Sequence, residues 1–75
     1  MRVINIDSEI LSGTPVFYGT RVPIKNFYDY IETGETIDEF LSDFPSVKRS
    51  QIIKFLELSR KMMFKSTEIL SKNFA

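Results

Sequence analysis

Four acidic side chains are the first candidates for chemistry in this chain. Glu35, Asp38, Glu39 and Asp43 fall within residues 35–43, and Glu35, Glu39 and Asp43 recur every four residues, which places them on one helix face. Grouped carboxylates can hold a metal ion or act as a paired acid and base. No other ligand type converges on them, so we expect no metal site. The open alternatives are a solvated acidic face and a docking surface for a basic partner.

Histidine and cysteine are both absent from the 75 residues. Their absence excludes a disulfide, a zinc site of the Cys/His kind, a thiol nucleophile and a histidine general base. The chain also offers no convergent set of catalytic side chains. The sequence therefore predicts a protein that is not an enzyme and that uses no cofactor.

A basic and polar set at the start of the last apolar stripe is the next candidate site. The set is Lys48, Arg49, Ser50, Gln51 and Lys54. Arginine and glutamine can make bidentate contacts with bases, and lysine suits phosphate. Recognition helices place such residues near their N-termini. We predict that this set contacts DNA; the alternative is a solvated helix start.

Charge divides the chain into two parts. Residues 1–47 carry three basic and eight acidic side chains, a net charge of −5, whereas residues 48–75 carry seven basic and two acidic side chains, a net charge of +5. An acidic body followed by a basic C-terminal third indicates a charged partner.

Apolar periodicity predicts the elements that would position these residues. Residues 2–7 and 15–18 are typical of two short strands. Three apolar stripes at helical spacing follow, namely Ile24, Phe27, Tyr28 and Ile31, then Ile37, Phe40, Leu41 and Phe44, then Ile52, Phe55, Leu56, Ser59 and Met63. Gly34 suits the C-terminal cap of the first helix, Thr36 the N-cap of the second, and Pro45 its end. The fold class is mainly α, with a short N-terminal β element and three helices.

The turn-rich stretch GTPVFYGTRVP, residues 13–23, connects the strands to the first helix. Gly13 and Gly19 permit left-handed turns, and Pro15 and Pro23 fix the entries to the second strand and the first helix. Arg21 has two interpretations. It could grip an anion, or it could tie the turn to the acidic body through a carboxylate. We interpret the stretch as structural, with Arg21 as the tie.

One domain of residues 1–75 is expected, divided into a β element (1–23), a three-helix core (24–60) and a C-terminal helical extension (61–75). The extension contains apolar side chains that so small a core has little room to bury. Those predicted to bind a partner are Met62, Phe64, Ile69 and Leu70. A homodimer or a protein partner would cover them, and the alternative is that they fold back on the core.

A membrane location is not expected. No apolar run approaches the ~18 residues of a membrane span, and charges interrupt the first ten residues, which is unlike a signal peptide. We therefore predict a cytoplasmic protein.

The turn motif resembles a family of small bacterial and archaeal proteins formerly described as a domain of unknown function. Its members read approximately G-x-P-x-[IV]-x-G-T-R-[IV]-P, followed by an apolar helix, a glycine and a capped acidic helix. The matching residues are Gly13, Pro15, Gly19, Thr20, Arg21, Val22 and Pro23, then Gly34, Thr36, Glu39, Phe40, Leu41, Phe44 and Pro45. The resemblance covers roughly residues 2–60. It implies a homeodomain-like helix-turn-helix fold and a VapB-like antitoxin paired with a PIN-like ribonuclease toxin.

The chain departs from this family at the start of the last helix. Lys48 stands where members usually have a capping threonine or serine, so Ser46 is an alternative cap. The basic helix start favours a nucleic-acid contact. We therefore expect an antitoxin that could also bind operator DNA; the alternative is a free-standing small DNA-binding regulator.

Overall fold

The structure is a computed structural model and describes residues 2–65. Its elements are β1 (Ile4–Asn5), a short 3-10 turn (Leu11–Gly13), β2 (Val16–Phe17), α1 (Ile24–Glu32), α2 (Ile37–Asp43) and α3 (Arg49–Lys65). The expectation of a mainly α protein with three helices and a short N-terminal β element is confirmed. No helix among these residues is long and apolar enough to span a membrane.

The two strands form a small antiparallel sheet that covers one side of the helices. Ile4 pairs with Phe17 and Asn5 with Val16. Both residues of β2 are fully buried, as is Val3 just before β1. Because both faces of β2 are covered, β2 belongs to the core and fixes the turn that follows it.

That turn is held by Thr20. Its hydroxyl donates to the Phe17 carbonyl at 2.8 Å and accepts from the Val22 amide at 3.0 Å, while the Phe17 amide donates to the Val22 carbonyl at 3.0 Å. Gly19 has φ +77°, which confirms the left-handed conformation expected there. The sequence placed Thr20 in the motif but did not show that its hydroxyl closes the turn.

The loop between the strands is more unusual than the sequence indicated. Leu11, Ser12 and Gly13 all have positive φ, at 47°, 56° and 86°. Only Gly13 was expected to adopt this region, which side chains disfavour. The amide and hydroxyl of Thr14 both donate to the Leu11 carbonyl, at 3.1 and 2.8 Å, and these bonds hold the loop in place.

Four phenylalanines form the centre of the core. The Phe17 ring centroid lies 6.4 Å from that of Phe27 and 6.0 Å from those of Phe40 and Phe55. One residue from β2 and one from each helix therefore meet at a single point. Ring pairs at these distances prefer edge-to-face or offset geometry, and the Phe17 contacts with Phe27 and Phe55 are edge-to-face.

The expected stripe of α1 is only half right. Ile24 and Phe27 are buried, but Tyr28 and Ile31 are exposed. Tyr30 packs instead, with its ring centroid 5.3 Å from that of Phe40. The packed side of α1 is shifted toward Tyr30 because α1 packs against α2 as well as α3.

The helix ends follow the expected capping residues. Gly34 adopts φ +87° after α1, and the Thr36 hydroxyl accepts from the Glu39 amide at 3.1 Å to cap α2. Pro45 follows two residues after the end of α2, and residues 44–48 then lead into α3.

Candidate functional site

A basic cleft of about 420 Å³ opens at the start of α3. Its walls include Arg2, Tyr18, Ser46, Lys48, Ser50 and Gln51. The cleft therefore joins the N-terminal segment, the turn after β2 and the first turn of α3. Two of the residues predicted to contact DNA, Lys48 and Ser50, lie in its wall with their side chains exposed.

Gln51 holds this cleft together. It is the one buried polar residue among residues 2–65. Its Nε2 donates to the Tyr18 carbonyl at 2.9 Å, and its Oε1 accepts from the Lys48 amide at 3.0 Å. Both polar atoms of the Gln51 side chain are thus hydrogen-bonded within the protein. The sequence predicted a DNA contact for Gln51, and we assign it a structural role instead.

The same bond explains how α3 begins without a capping side chain. α3 starts at Arg49, so Lys48 occupies the cap position and the alternative cap, Ser46, is wrong. Gln51 lies three residues after Lys48 and bonds back to its amide, which is half of a capping box. Lysine is tolerated at the cap position because the Gln51 side chain accepts a hydrogen bond from the Lys48 backbone amide.

Arg49, another residue predicted to contact DNA, forms a contact within the protein. Its guanidinium forms an ion pair with the Asp38 carboxylate of α2, and both side chains are largely exposed. This pair ties the starts of α2 and α3 together. Lys54 lies one turn further along α3, outside the wall of the cleft, with its Nζ 3.7 Å from the Glu57 carboxylate.

The cleft has the features of a phosphate contact. It carries two cationic side chains, Arg2 and Lys48, and two hydroxyls, Ser46 and Ser50. The N-terminus of the long helix α3 adds partial positive charge. The Arg2 guanidinium lies 4.8 Å from the centre of the Tyr18 ring, which limits its motion. Arg2 was not predicted from the sequence, because its position depends on the pairing of β1 with β2.

Arg21 does not form the expected tie to the acidic body. It is exposed and makes no hydrogen bond or ion pair with any residue in 2–65. Thr20 closes the turn instead. Among the other motif residues, Gly13 and Gly19 supply positive φ, and the Pro15 carbonyl accepts from the first amide of α1, that of Ile24, at 3.0 Å.

Pro23 is the residue immediately before α1, with φ −63° and ψ 142°. It also forms an isolated antiparallel bridge with Val16. Pro23 therefore fixes the entry into the helix from a position one residue earlier than the first turn.

The acidic residues of α2 also support the scaffold. Asp38 pairs with Arg49, and Asp43 accepts a 2.7 Å hydrogen bond from the Tyr30 hydroxyl. That bond, with partial burial and the nearby carboxylates, raises the pKa of Tyr30 to about 12. No group of side chains within residues 2–65 could hold a metal ion.

Two of the predicted partner-binding residues, Met62 and Phe64, lie on opposite sides of α3. Met62 and Phe64 are both exposed, at 69% and 66%, but they lie two residues apart on α3 and so point about 200° apart. Met62 continues the side of α3 that carries Phe55, which packs on the body, and Phe64 lies on the opposite side. Ile69 and Leu70 lie outside the described residues.

Comparison with known proteins gives a family match. The family model for DUF433, protein of unknown function, matches residues 4–57. No curated protein and no solved structure matches the chain. The matched range covers both strands, α1 and α2 and stops midway along α3, so residues 58–65 lie beyond the match.

Proposed function

The chain belongs to the DUF433 family of proteins of unknown function, and we propose that it is the antitoxin of a toxin–antitoxin pair. In this role it neutralises a PIN-like ribonuclease in the cytoplasm and also contacts operator DNA. The observation that carries the proposal is the far half of α3, which presents apolar side chains to solvent after its last buried residue, Phe55.

The proposed toxin-binding surface continues the packed side of α3. Leu58 and Met62 follow Phe55 by three and seven residues, which keeps them on its side of the helix. Tyr28 of α1 lies beside them, with its ring centroid 5.7 Å from that of Phe55. All three side chains are exposed. A helix whose apolar side continues past its own core is suited to an apolar groove of a partner.

The positive charge of residues 58–65 favours a partner with an acidic surface. Residues 58–65 contain Arg60, Lys61 and Lys65 and no acidic side chain. A metal-dependent nuclease holds its cations on carboxylates, so the groove around its active site is acidic. An apolar and basic helix is complementary to such a groove, which supports a PIN-like ribonuclease as the target.

Operator binding is the second part of the proposal. The cleft at the start of α3 offers Arg2 and Lys48 to phosphate, and exposed Ser50 borders it. Contacts of this kind position a protein on DNA without reading its sequence. The alternative function, a free-standing DNA-binding regulator, uses the same cleft but needs no toxin.

Co-expression with a PIN-like ribonuclease encoded beside this gene tests neutralisation. The wild-type chain should restore growth, and Leu58→Gln with Met62→Gln should lose most of this rescue while remaining folded. Leu56→Gln, which changes an exposed leucine on another side of α3, is the matched control and should rescue normally. Equal rescue by the double variant would exclude this side of α3 as the toxin-binding surface.

Salt-dependent binding to DNA from the gene's own promoter tests the cleft and separates the two functions. Each lost phosphate contact should lower the slope of binding against salt by about one unit. Lys48→Ala and Arg2→Ala should each do so, whereas Lys25→Ala, whose Nζ pairs with Asp29 on α1, should not. DNA binding without any neutralisation would favour the regulator.

A further inference from the structure

The outward face of α3 carries a second regular pattern, apolar at its two ends and charged at its centre, which lies away from Leu58 and Met62. Ile53, Glu57, Arg60 and Phe64 follow one another at spacings of four, three and four residues. This is the repeat of a helix that packs along another helix. The four residues lie roughly opposite buried Phe55 on the helix.

The body leaves this face uncovered. Ile53 is 51% exposed and Phe64 is 66% exposed, although large apolar side chains at the two ends of one stripe are costly to leave in water. The Arg60 guanidinium lies 5.7 Å from the centre of the Phe64 ring. This contact keeps the cation within the stripe rather than away from it.

We propose that this face pairs with the same face of a second copy of the chain, with the two α3 helices antiparallel. In this register Ile53 of each copy meets Phe64 of the other, and Glu57 meets Arg60. The two-fold axis generates every contact twice. The interface then has two apolar layers at its ends and two ion pairs at its centre.

Charge complementarity identifies the second copy as the occupant. Glu57 is the only acidic residue of α3, and it lies one helical turn from Arg60, where the antiparallel register needs it. A parallel pair would instead place Glu57 against Glu57 and Arg60 against Arg60, which like-charge repulsion disfavours. The charges therefore specify both the partner and its direction.

The residues beside the stripe are compatible with this pairing. Leu56 and Met63 flank it on one side, and both are exposed, so they can add apolar contacts across the axis. Lys54 and Lys61 flank it on the other side, where water and salt screen their charges. Lys54 is 3.7 Å from Glu57 within one copy, a loose and exposed pair that Arg60 of the second copy can replace.

The proposed dimer does not depend on the antitoxin function, because Leu58 and Met62 lie on a different side of α3. Sedimentation of the full chain over a range of concentrations tests it. The wild type should form a dimer that dissociates on dilution. Glu57→Arg and Arg60→Glu each place like charges in both central layers and should each raise the dissociation constant at least about tenfold.

Charge exchange makes the test specific. The double variant Glu57→Arg with Arg60→Glu restores opposite charges and should dimerise again. Mixing the two single variants should also give a heterodimer, because each layer then joins opposite charges. Lys65→Glu, which lies outside the stripe on the same helix, is the control and should dimerise as the wild type does.

Circular dichroism should show that every variant is folded. A monomeric wild type at the highest concentration would overturn the proposal. So would single variants that dimerise as tightly as the wild type, or a double variant and a mixture that stay monomeric. Retained neutralisation by a monomeric Glu57→Arg variant would separate the dimer from the toxin-binding surface.

Discussion

The body and the far half of α3 differ in whether they bury their apolar side chains. In the body, residues 2–57, the ring centroids of one phenylalanine from each helix lie 6.0–6.4 Å from that of Phe17 on β2. In residues 58–65 no side chain is buried, although Leu58, Met62, Met63 and Phe64 are all apolar. The body forms a buried core of its own, and the far half of α3 adds no buried side chain to it.

This difference separates the residues that form the core from those that follow it on α3. A domain this small buries only about 60% of its unfolded surface and has little stability to spare. Extending a helix by more than two turns of exposed apolar residues adds nothing to that core. The proposed toxin and the proposed second copy would each account for this extension, and the family match ends near the same place, at residue 57.

Phe17→Ala should cause the largest loss of stability and tests the body side of the comparison. The Phe17 side chain is fully buried and contacts three other phenylalanine rings. Its removal should cost ~3–5 kcal/mol, which is enough to unfold most of a marginal domain. Urea denaturation followed by circular dichroism measures this loss.

Phe64→Ala is the matched change in the far half of α3. Because Phe64 is exposed, its removal at a concentration where the chain is monomeric should alter stability by no more than ~0.5 kcal/mol. Similar losses for the two variants would show that the far half of α3 is part of the cooperative core, and the comparison would fail.

Local sequence patterns predicted the body well where one element decides the outcome. The two strands, the three helices, Gly34 and the Thr36 cap all follow from short-range chemistry. The prediction was less successful where two elements meet. Tyr30 rather than Tyr28 packs in the core, because the orientation of α1 depends on α2, which apolar spacing within α1 does not report.

The cleft residues show the same limit of prediction from sequence, because the cleft forms where separate elements meet. Lys48 and Ser50 could be predicted as part of it because they are neighbours in sequence. Arg2 could not, since it reaches α3 only through strand pairing. Gln51 was interpreted as a base contact from its residue type, and only the fold shows that Tyr18 and Lys48 occupy its amide.

Gln51→Ala should cause the next largest loss. It removes two hydrogen bonds, one of which caps the start of α3, and it leaves the Tyr18 carbonyl without its donor. The expected cost is ~1–3 kcal/mol. Thermal unfolding should show a clear fall in Tm, whereas Ser50→Ala, an exposed neighbour, should leave Tm nearly unchanged. Equal Tm values would mean that the start of α3 is not tied to the body through Gln51.

Gly19→Val should have a smaller effect, which comes from the backbone alone. Gly19 has φ +77°, and no atom lies within 4 Å of the position that a Cβ would take. A β-branched residue resists this conformation, at a cost of ~1–2 kcal/mol. Gly19→Asn should cost less, because asparagine adopts the left-handed region more readily. An unchanged Tm for the valine variant would show that the turn has another conformation in solution.

The smallest effect at neutral pH is expected for Tyr30→Phe, which removes the 2.7 Å hydrogen bond to Asp43 on the exposed edge between α1 and α2. The bond favours the protonated phenol, so the pKa of Tyr30 in the folded state rises from its ordinary value of 10.0 to about 12. The unfolded chain therefore loses this proton first as the pH rises. The bond stabilises the wild type fully below pH 10, and this contribution is lost as the pH rises from 10 to about 12.

The stability of the wild type should fall more steeply over that interval than that of Tyr30→Phe, and the difference between the two proteins should shrink with rising pH. Urea unfolding at a series of pH values measures both slopes. Tyr28→Phe is the matched control, because the Tyr28 hydroxyl makes no hydrogen bond with any residue in 2–65, and this variant should keep the steep wild-type slope. If both variants follow the wild type, the Tyr30–Asp43 bond does not persist in solution. The edge between α1 and α2 would then be held by the packing of the Tyr30 ring against Phe40 and Phe44.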